Sequence, residues 1–398
     1  MRKYITLFLV LCKFLSLPAQ SVTTLHIDPA NARGGMVSEV FDSIQFIPLE
    51  TTKESLFGSI DQMEVTDSFF IILDVRSHSI LLFRRNGRFY TKITTGGDNK
   101  YFYSFTLDRK AQKIIANNNY ANALLTYDYS GRFIRKENHP GWIGEMHLFP
   151  GNTMLYTNIR KGQVEPSDHV LYDLTYSKGY DSLTKEVKSY NAKYEDGEYN
   201  AFGTRLNPLE QDNTCLFSTP FEYAIYQLND TGIIRKYQFI FPLSYSLPKN
   251  FASDVGYAGM RSKIAYVDAG YRSTFTSLDR YFLYHEYLLF SLFSRRITEG
   301  SVDYNYAYNL QTGSLISFFR VTADSSSYYT PLLASPYEVV HTIHNGIIYS
   351  SISSVEMLSL KTKLDMKVDY PSVLQAYFAH ANRLDNSVIV AFKLKSGL

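Results

Sequence analysis

One pattern returns five times along the chain: an apolar run with an aromatic near its end, a short polar link, a glycine, and a second apolar run. Its copies are LLFRRNGRF (81–89), LLTYDYSGRFI (124–134), VLYDLTYSKGYDSL (170–183), AIYQLNDTGII (224–234) and YAYNLQTGSLI (306–316). The aromatic anchors are Phe83, Tyr127, Tyr172, Tyr226 and Tyr308, the first three spaced by 44 and 45 residues and the next by 54. A period of this length marks a supersecondary unit that buries its apolar faces by stacking on copies of itself.

The stretch 69–93, FFIILDVRSHSILLFRRNGRFYTKI, shows what the unit is. Its β-branched and aromatic residues come in runs of strand length, broken at Arg76-Ser77-His78 and at Asn86-Gly87. Asn-Gly between such runs predicts a type I′ hairpin turn, in which both central residues take positive φ. The run Ile80-Leu81-Leu82-Phe83 is apolar on both faces, so this strand is expected to be covered on both sides. A pair of strands precedes each copy, as in FTLDRKAQKIIANNN and GEMHLFPGNTMLYTNI, which makes four strands per unit. The predicted fold is all-β: a six-bladed β-propeller of four-stranded antiparallel blades, centred near Phe83, Tyr127, Tyr172, Tyr226, Tyr308 and Phe392.

The chain ends in the strand VIVAFKLK, which needs partners, and SIQFIPLE (43–50) is an apolar strand with no blade of its own. The N-terminal strand is therefore expected to close the last blade and remove free sheet edges. Insertions are expected near 186–213 and 242–275, the second with a short helix in SDVGYAGMRSKIAYV. The long spacings at 242–275 and 353–385 also leave room for a seventh, degenerate unit.

Residues 1–19 read as a signal peptide: Arg2 and Lys3, an apolar run from Tyr4 to Cys12, and Pro18-Ala19 before Gln20. The run is too short to span a bilayer, and the residues before Cys12 are not the small ones that lipidation uses. The remaining 20–398 form one domain. Loss of 1–19 removes Arg2, Lys3 and Lys13 and no acid, which moves the formal charge from +2 to −1. A near-neutral chain offers no electrostatic case for nucleic acid. Only Cys215 would remain, so no intrachain disulfide is expected, and 45% hydrophobic residues supply a core in its place.

At this point the sequence resembles a family of secreted bacterial six-bladed β-propellers with NHL-like blades. The likeness rests on FIPLETT followed by GSIDQMEVTDSFFIILD, on FRRNGRFYTKI, on STPFEYAIYQLNDTGIIRKYQFIF, and on the exit LDNSVIVAFKLK, which looks like the closing strand that in the family follows an Asp-Asn-Pro-type turn. Where the family carries a Gly-Pro-Gly-Glu-Tyr-type loop, this chain has TTGGDNKYFYSF (94–105). The resemblance implies a location among nutrient-uptake genes and no catalytic residues to carry over.

Motifs with chemistry are few. No Walker loop, HExxH, GxSxG or CxxC occurs. His341 and His344 are three apart on a strand and point to opposite faces, which argues against a joint metal site. Asp74, Asn117, Asn118, Asn119, Asn158 and Glu286 are candidates for oxygen ligands at the axis of a propeller enzyme, with Ca2+ as the cation, but Asn and Asp at strand ends are also turn formers. Trp142, in the loop HPGWIG, could stack on a sugar or a partner, or plug the seam between blades. The expected role is an exported non-enzymatic propeller, in the periplasm or at the cell surface, that binds a glycan, peptide or protein partner, with no catalytic residue, cofactor or transmembrane span. The alternatives are a hydrolase or lyase with a cation at the axis and a structural subunit of an envelope complex.

Overall fold

The computed structural model describes residues 21–95, 101–139, 143–158, 170–178, 182–191, 206–209, 213–251, 274–294, 304–364 and 366–398. Their strands form six sheets, the blades of a β-propeller. Blade 1 consists of Gln62–Val65, Phe69–Asp74, Ser79–Arg84 and Phe89–Thr94, and blade 2 of Ser104–Asp108, Lys113–Asn118, Ala123–Asp128 and Phe133–Asn138. Blade 3 consists of Ile143–Phe149, Thr153–Asn158, Val170–Lys178 and Ser182–Asn191, and blade 4 of Asn207–Leu209, Thr214–Phe217, Ala224–Asn229 and Gly232–Ile240. Blade 5 consists of Ser277–Tyr284, Tyr287–Phe293, Asn305–Asn309 and Leu315–Thr322. Blade 6 takes Thr342–His344, Ile347–Ile352 and Val388–Leu394 from the end of the chain, and its fourth strand is Phe41–Pro48. The register Val388↔Pro48 to Leu394↔Phe41 is the closure expected from the unpartnered apolar strand.

Blade 1 shows why the repeat folds this way. In its second and third strands, Phe69, Ile71, Leu73, Ile80 and Leu82 join a core with Phe105, Ile114 and Tyr127 of blade 2. The alternate residues Phe70, Ile72, Leu81 and Phe83 join another core with Ile47, Tyr349 and Ile389 of blade 6. A period of two thus feeds two inter-blade cores from one strand, and each buried side chain contributes about 1.5–3 kcal/mol. The anchors Phe83, Tyr127, Tyr172, Tyr226, Tyr308 and Phe392 all lie on third strands. The third strand of blade 3 also carries the buried ring of Tyr176, whose hydroxyl donates to the Asn229 carbonyl at 2.8 Å.

The turn at Asn86-Gly87 differs from the expected type I′. Of the pair, Gly87 alone takes positive φ, 84°. The Gly87 amide donates to Arg84 O and the Arg84 amide to Arg88 O, both at 2.8 Å, and the register shifts by one residue at Phe83. This is a three-residue loop with a glycine bulge, which matches the twist of the strands with a single left-handed residue. Blade 2 repeats the device at Gly131, φ 85°, with the same pair of backbone bonds around Asp128.

Before it closes blade 6, the N-terminal segment girdles two other blades. Ser21–His26 pairs in parallel with the outer strand of blade 4, and Arg33–Met36 with that of blade 5. Residues 353–385, one of the places where a seventh unit had room, hold the helices Ser354–Lys363 and Ser372–His380 instead. The first is capped by Ser353, whose Oγ accepts the Glu356 amide at 3.2 Å. The signal-peptide segment 1–19, most of the expected insertions and the helix expected in 253–267 lie outside the described residues. Among the described residues no helix is long and apolar enough to cross a membrane.

Candidate functional site

Alternating strand direction sorts every connection onto one of two faces. Links from first to second and from third to fourth strands emerge on one face, and links from second to third strands and between blades emerge on the other. The first set is short throughout, as at 66–68, 85–88, 109–112, 129–132, 230–231, 285–286 and 345–346. The second set holds the long described segments 49–61, 101–103, 241–251, 323–341, 353–364 and 366–387. The described exposed large apolar side chains follow this division. Some lie on the outermost strands, such as Phe133 and Phe319, and the rest on the long-connection face, where Leu243, Tyr337 and Leu384 are 93, 87 and 80% exposed. None lies in a short turn.

On the long-connection face, between blades 1 and 2, aromatic rings cluster. Tyr101 meets the His78 ring edge-on at 3.9 Å and the Tyr120 ring at 4.8 Å, and all but His78 are largely exposed. Tyr101 falls in the TTGGDNKYFYSF segment. Trp142 lies outside the described residues.

The six sequence candidates for an axial site do not converge on one. Asp74 is fully buried at the end of the second strand of blade 1, where it accepts the amides of Gly58 at 2.8 Å and Arg76 at 3.0 Å. Asn119 donates to Ile143 O at 2.7 Å and accepts Ile143 N at 3.0 Å, while Asn117 adds a 3.1 Å bond to the same carbonyl. Asn118 caps the turn Asn119–Ala121 through the Ala121 amide at 3.0 Å. Asn158 donates to Thr175 Oγ1 at 2.8 Å, and Glu286 accepts the Gly397 amide at 3.4 Å in a short turn. These amides and carboxylates hold backbone, except Asn158, which holds a side-chain hydroxyl. His341 and His344 also part company, the first on Ser351 Oγ at 2.8 Å and the second on Asp67 at 3.1 Å.

What lines the axis is a relay of side chains that sequence patterning does not mark. The first strands of neighbouring blades pack on one another, and each has a free edge to satisfy. Gln62 of blade 1 donates to Phe105 O at 2.7 Å and accepts Phe105 N at 3.0 Å in blade 2. Ser104 of blade 2 donates to Gly144 O at 2.7 Å in blade 3, and Glu145 of blade 3 accepts the amide of Leu206, just ahead of blade 4, at 2.9 Å. Near the short-turn end, Arg109 pairs with Glu64 at 2.7 Å. Burial, with the Arg109 charge, lowers the pKa of His147 to about 4, so its ring is neutral at pH 7. Among the described residues no group of three or more His, Cys, Asp or Glu is placed to hold a metal ion.

A cavity of about 660 Å³ opens on the short-turn face, where blades 1, 2 and 6 meet. Its walls include Asp67 and Ser68 of blade 1, Arg109 and Gln112 of blade 2, Asn345 of blade 6, and the rings of Tyr90 and Tyr129. Burial is the main reason the Tyr129 pKa is pushed up to about 12.

Under the opposite face, Glu338 and Glu356 form a pair of carboxyl groups. Glu338 is 2% exposed and accepts the Ala334 amide at 3.2 Å, and Glu356 stands in the first turn of Ser354–Lys363. Burial first, then the neighbouring Glu356, raises the Glu338 pKa to about 8, and burial raises that of Glu356.

Several known proteins share this architecture. A protein of Bacteroides fragilis NCTC 9343, named as a candidate exported protein, superposes with a TM-score of 0.70 at 13% identity over 94% of this chain and 100% of its own. A member of the DUF4221 family from Bacteroides vulgatus ATCC 8482 superposes with a TM-score of 0.50 at 12% identity, over 90% and 98% of the two chains. At such identities the likeness is one of fold. No curated protein matches the sequence. A family profile described as "Domain of unknown function (DUF4934)" matches residues 22–393.

Proposed function

The chain belongs to the DUF4934 family, and from that premise we propose that it is an exported, non-enzymatic propeller of the cell envelope that holds a protein partner on its long-connection face. One observation carries the reading: the described exposed large apolar residues away from the rim strands all lie on that face. Exposed apolar groups gathered on one surface favour a docking role, since scattered ones would need no explanation. Tyr101, Tyr120 and Tyr337 are of the residue type that anchors interfaces. Export is supported by the basic and apolar start of the sequence and by the name of the Bacteroides fragilis neighbour. A link to nutrient uptake rests on the family resemblance alone.

The test is photo-crosslinking from residues 120 and 337 on one face and from 151 and 231 on the other, in intact cells, together with fractionation of the envelope. The expected result is a discrete protein adduct from 120 and 337 only, in the envelope fraction. Equal adducts from both faces, or none from 120 and 337, would overturn the reading, and an adduct to glycan in place of protein would reassign the partner.

A further inference from the structure

We propose that the cavity on the short-turn face is a second binding site, for a neutral sugar ring, independent of the partner face. Its volume of about 660 Å³ falls within the range of about 300–1,000 Å³ typical of ligand pockets. It is formed by three blades at once, so its walls are fixed by the closure of the ring.

Three of its side chains are held in place by neighbours and still present polar atoms or a ring face. Asp67, with its side chain 87% exposed, is fixed by His344 Nε2 and Asn345 Nδ2, each 3.1 Å from Oδ1. Arg109, 39% exposed, is fixed by Glu64 and by the Val65 carbonyl, both at 2.7 Å. The Tyr90 ring, 38% exposed, is packed against Phe69 at 4.9 Å and covered on part of its surface by the Arg84 guanidinium at 4.6 Å. Planar polar groups locked by such supports recognise a ligand without first losing side-chain entropy.

The chemistry selects the ligand class. A carboxylate beside an amide matches adjacent hydroxyl groups, and an aromatic face matches the C–H face of a pyranose. The Arg109 charge is matched by Glu64, and Asp67 adds a negative charge, so a phosphate or sulfate has no cationic cradle. The polar lining disfavours an apolar ligand.

The experiment is calorimetric titration of the full-length protein with neutral oligosaccharides (glucan, mannan, galactan and xylan fragments), their free monosaccharides, and sulfated counterparts. At least one neutral sugar is expected to bind. Tyr90→Ala and Asp67→Asn should weaken it at least tenfold, Tyr90→Phe should keep most of the affinity, and Tyr120→Ala on the other face should leave it unchanged. Melting curves check that the variants remain folded. A fragment that binds where its monosaccharide does not identifies a glycan chain as the source, and the converse a free sugar. The proposal is overturned if no neutral sugar binds, if only sulfated sugars bind, or if folded Tyr90→Ala and Asp67→Asn bind as the unaltered protein does. Loss of the partner adduct from residue 337 has no bearing on this result.

Discussion

Glu338 and Glu356 are neighbouring carboxyl groups, one in the connection that enters blade 6 and the other in the first turn of the helix Ser354–Lys363. Burial, and then the neighbouring Glu356 charge, favours the protonated form of Glu338: its pKa is raised to about 8, while an unfolded Glu titrates at about 4.3. Because the folded value is the higher, the pair's contribution is complete below the unfolded pKa and declines as pH rises toward 8. Lys363, the cation that acts on Glu356, opposes the shift only on that side. Urea unfolding at pH 5 and pH 8.5 should show the protein less stable at the higher pH. Glu338→Gln should remove much of that slope and stabilise the alkaline protein by on the order of 3 kcal/mol. A slope unchanged in the variant would dissociate it from this pair.

Gly87 should tolerate no side chain. Its φ is 84°, and a Cβ there would stand 2.1 Å from the Pro48 carbonyl oxygen, at the end of the closing strand. Gly87→Ala is expected to cost about 2–4 kcal/mol. Gly151, with φ 82° and nothing within 4 Å of its Cβ position, serves as the control for backbone strain alone. The difference between the two variants in chemical denaturation isolates the contact with Pro48.

Asn119→Ala should destabilise the fold by about 2 kcal/mol, since it removes the two Asn119 bonds to Ile143, leaves the carbonyl with the Asn117 bond and leaves a buried amide to find another partner. Asn119→Asp should be nearly as damaging, because a carboxylate cannot donate to Ile143 O. Both effects are read from unfolding midpoints.

Calcium and EDTA should leave the melting temperature within about 1 °C of each other. The reason lies in the candidates for oxygen ligands, Asp74, Asn117, Asn119 and Asn158, which already hold backbone or side-chain partners at 2.7–3.1 Å. A calcium-dependent rise of several degrees would restore the axial cation that these contacts argue against.

The sequence disclosed the ring through features that every blade must repeat. Phe83 and Tyr127 with Gly87 and Gly131 mark the third strand and its bulged turn, and SIQFIPLE disclosed the closure because an apolar strand without a partner has nowhere else to go. The form of the turn was less legible, since Asn-Gly serves either a two-residue or a three-residue loop and the register at Phe83 decides between them. The pocket was illegible for a different reason. Asp67, Arg109 and Asn345 come from three turns far apart in sequence, and each reads locally as an ordinary solvated turn residue. The same holds for Glu338 and Glu356, whose meeting depends on how two irregular segments fold over blade 6.

The N-terminal girdle reverses the order in which the molecule is made. Residues 21–48 are synthesised before any blade, yet their strands lie against partners that end at Ile240, Thr322 and Leu394. Contacts this distant in sequence come late in folding. Until Val388–Leu394 has been made, Phe41–Pro48 has no strand to join, and a nascent chain carries an unpaired apolar ribbon that must be shielded from its neighbours. Completion of the last strand is therefore the event that turns a row of blades into a ring, and an interrupted translation leaves an open arc rather than a smaller propeller.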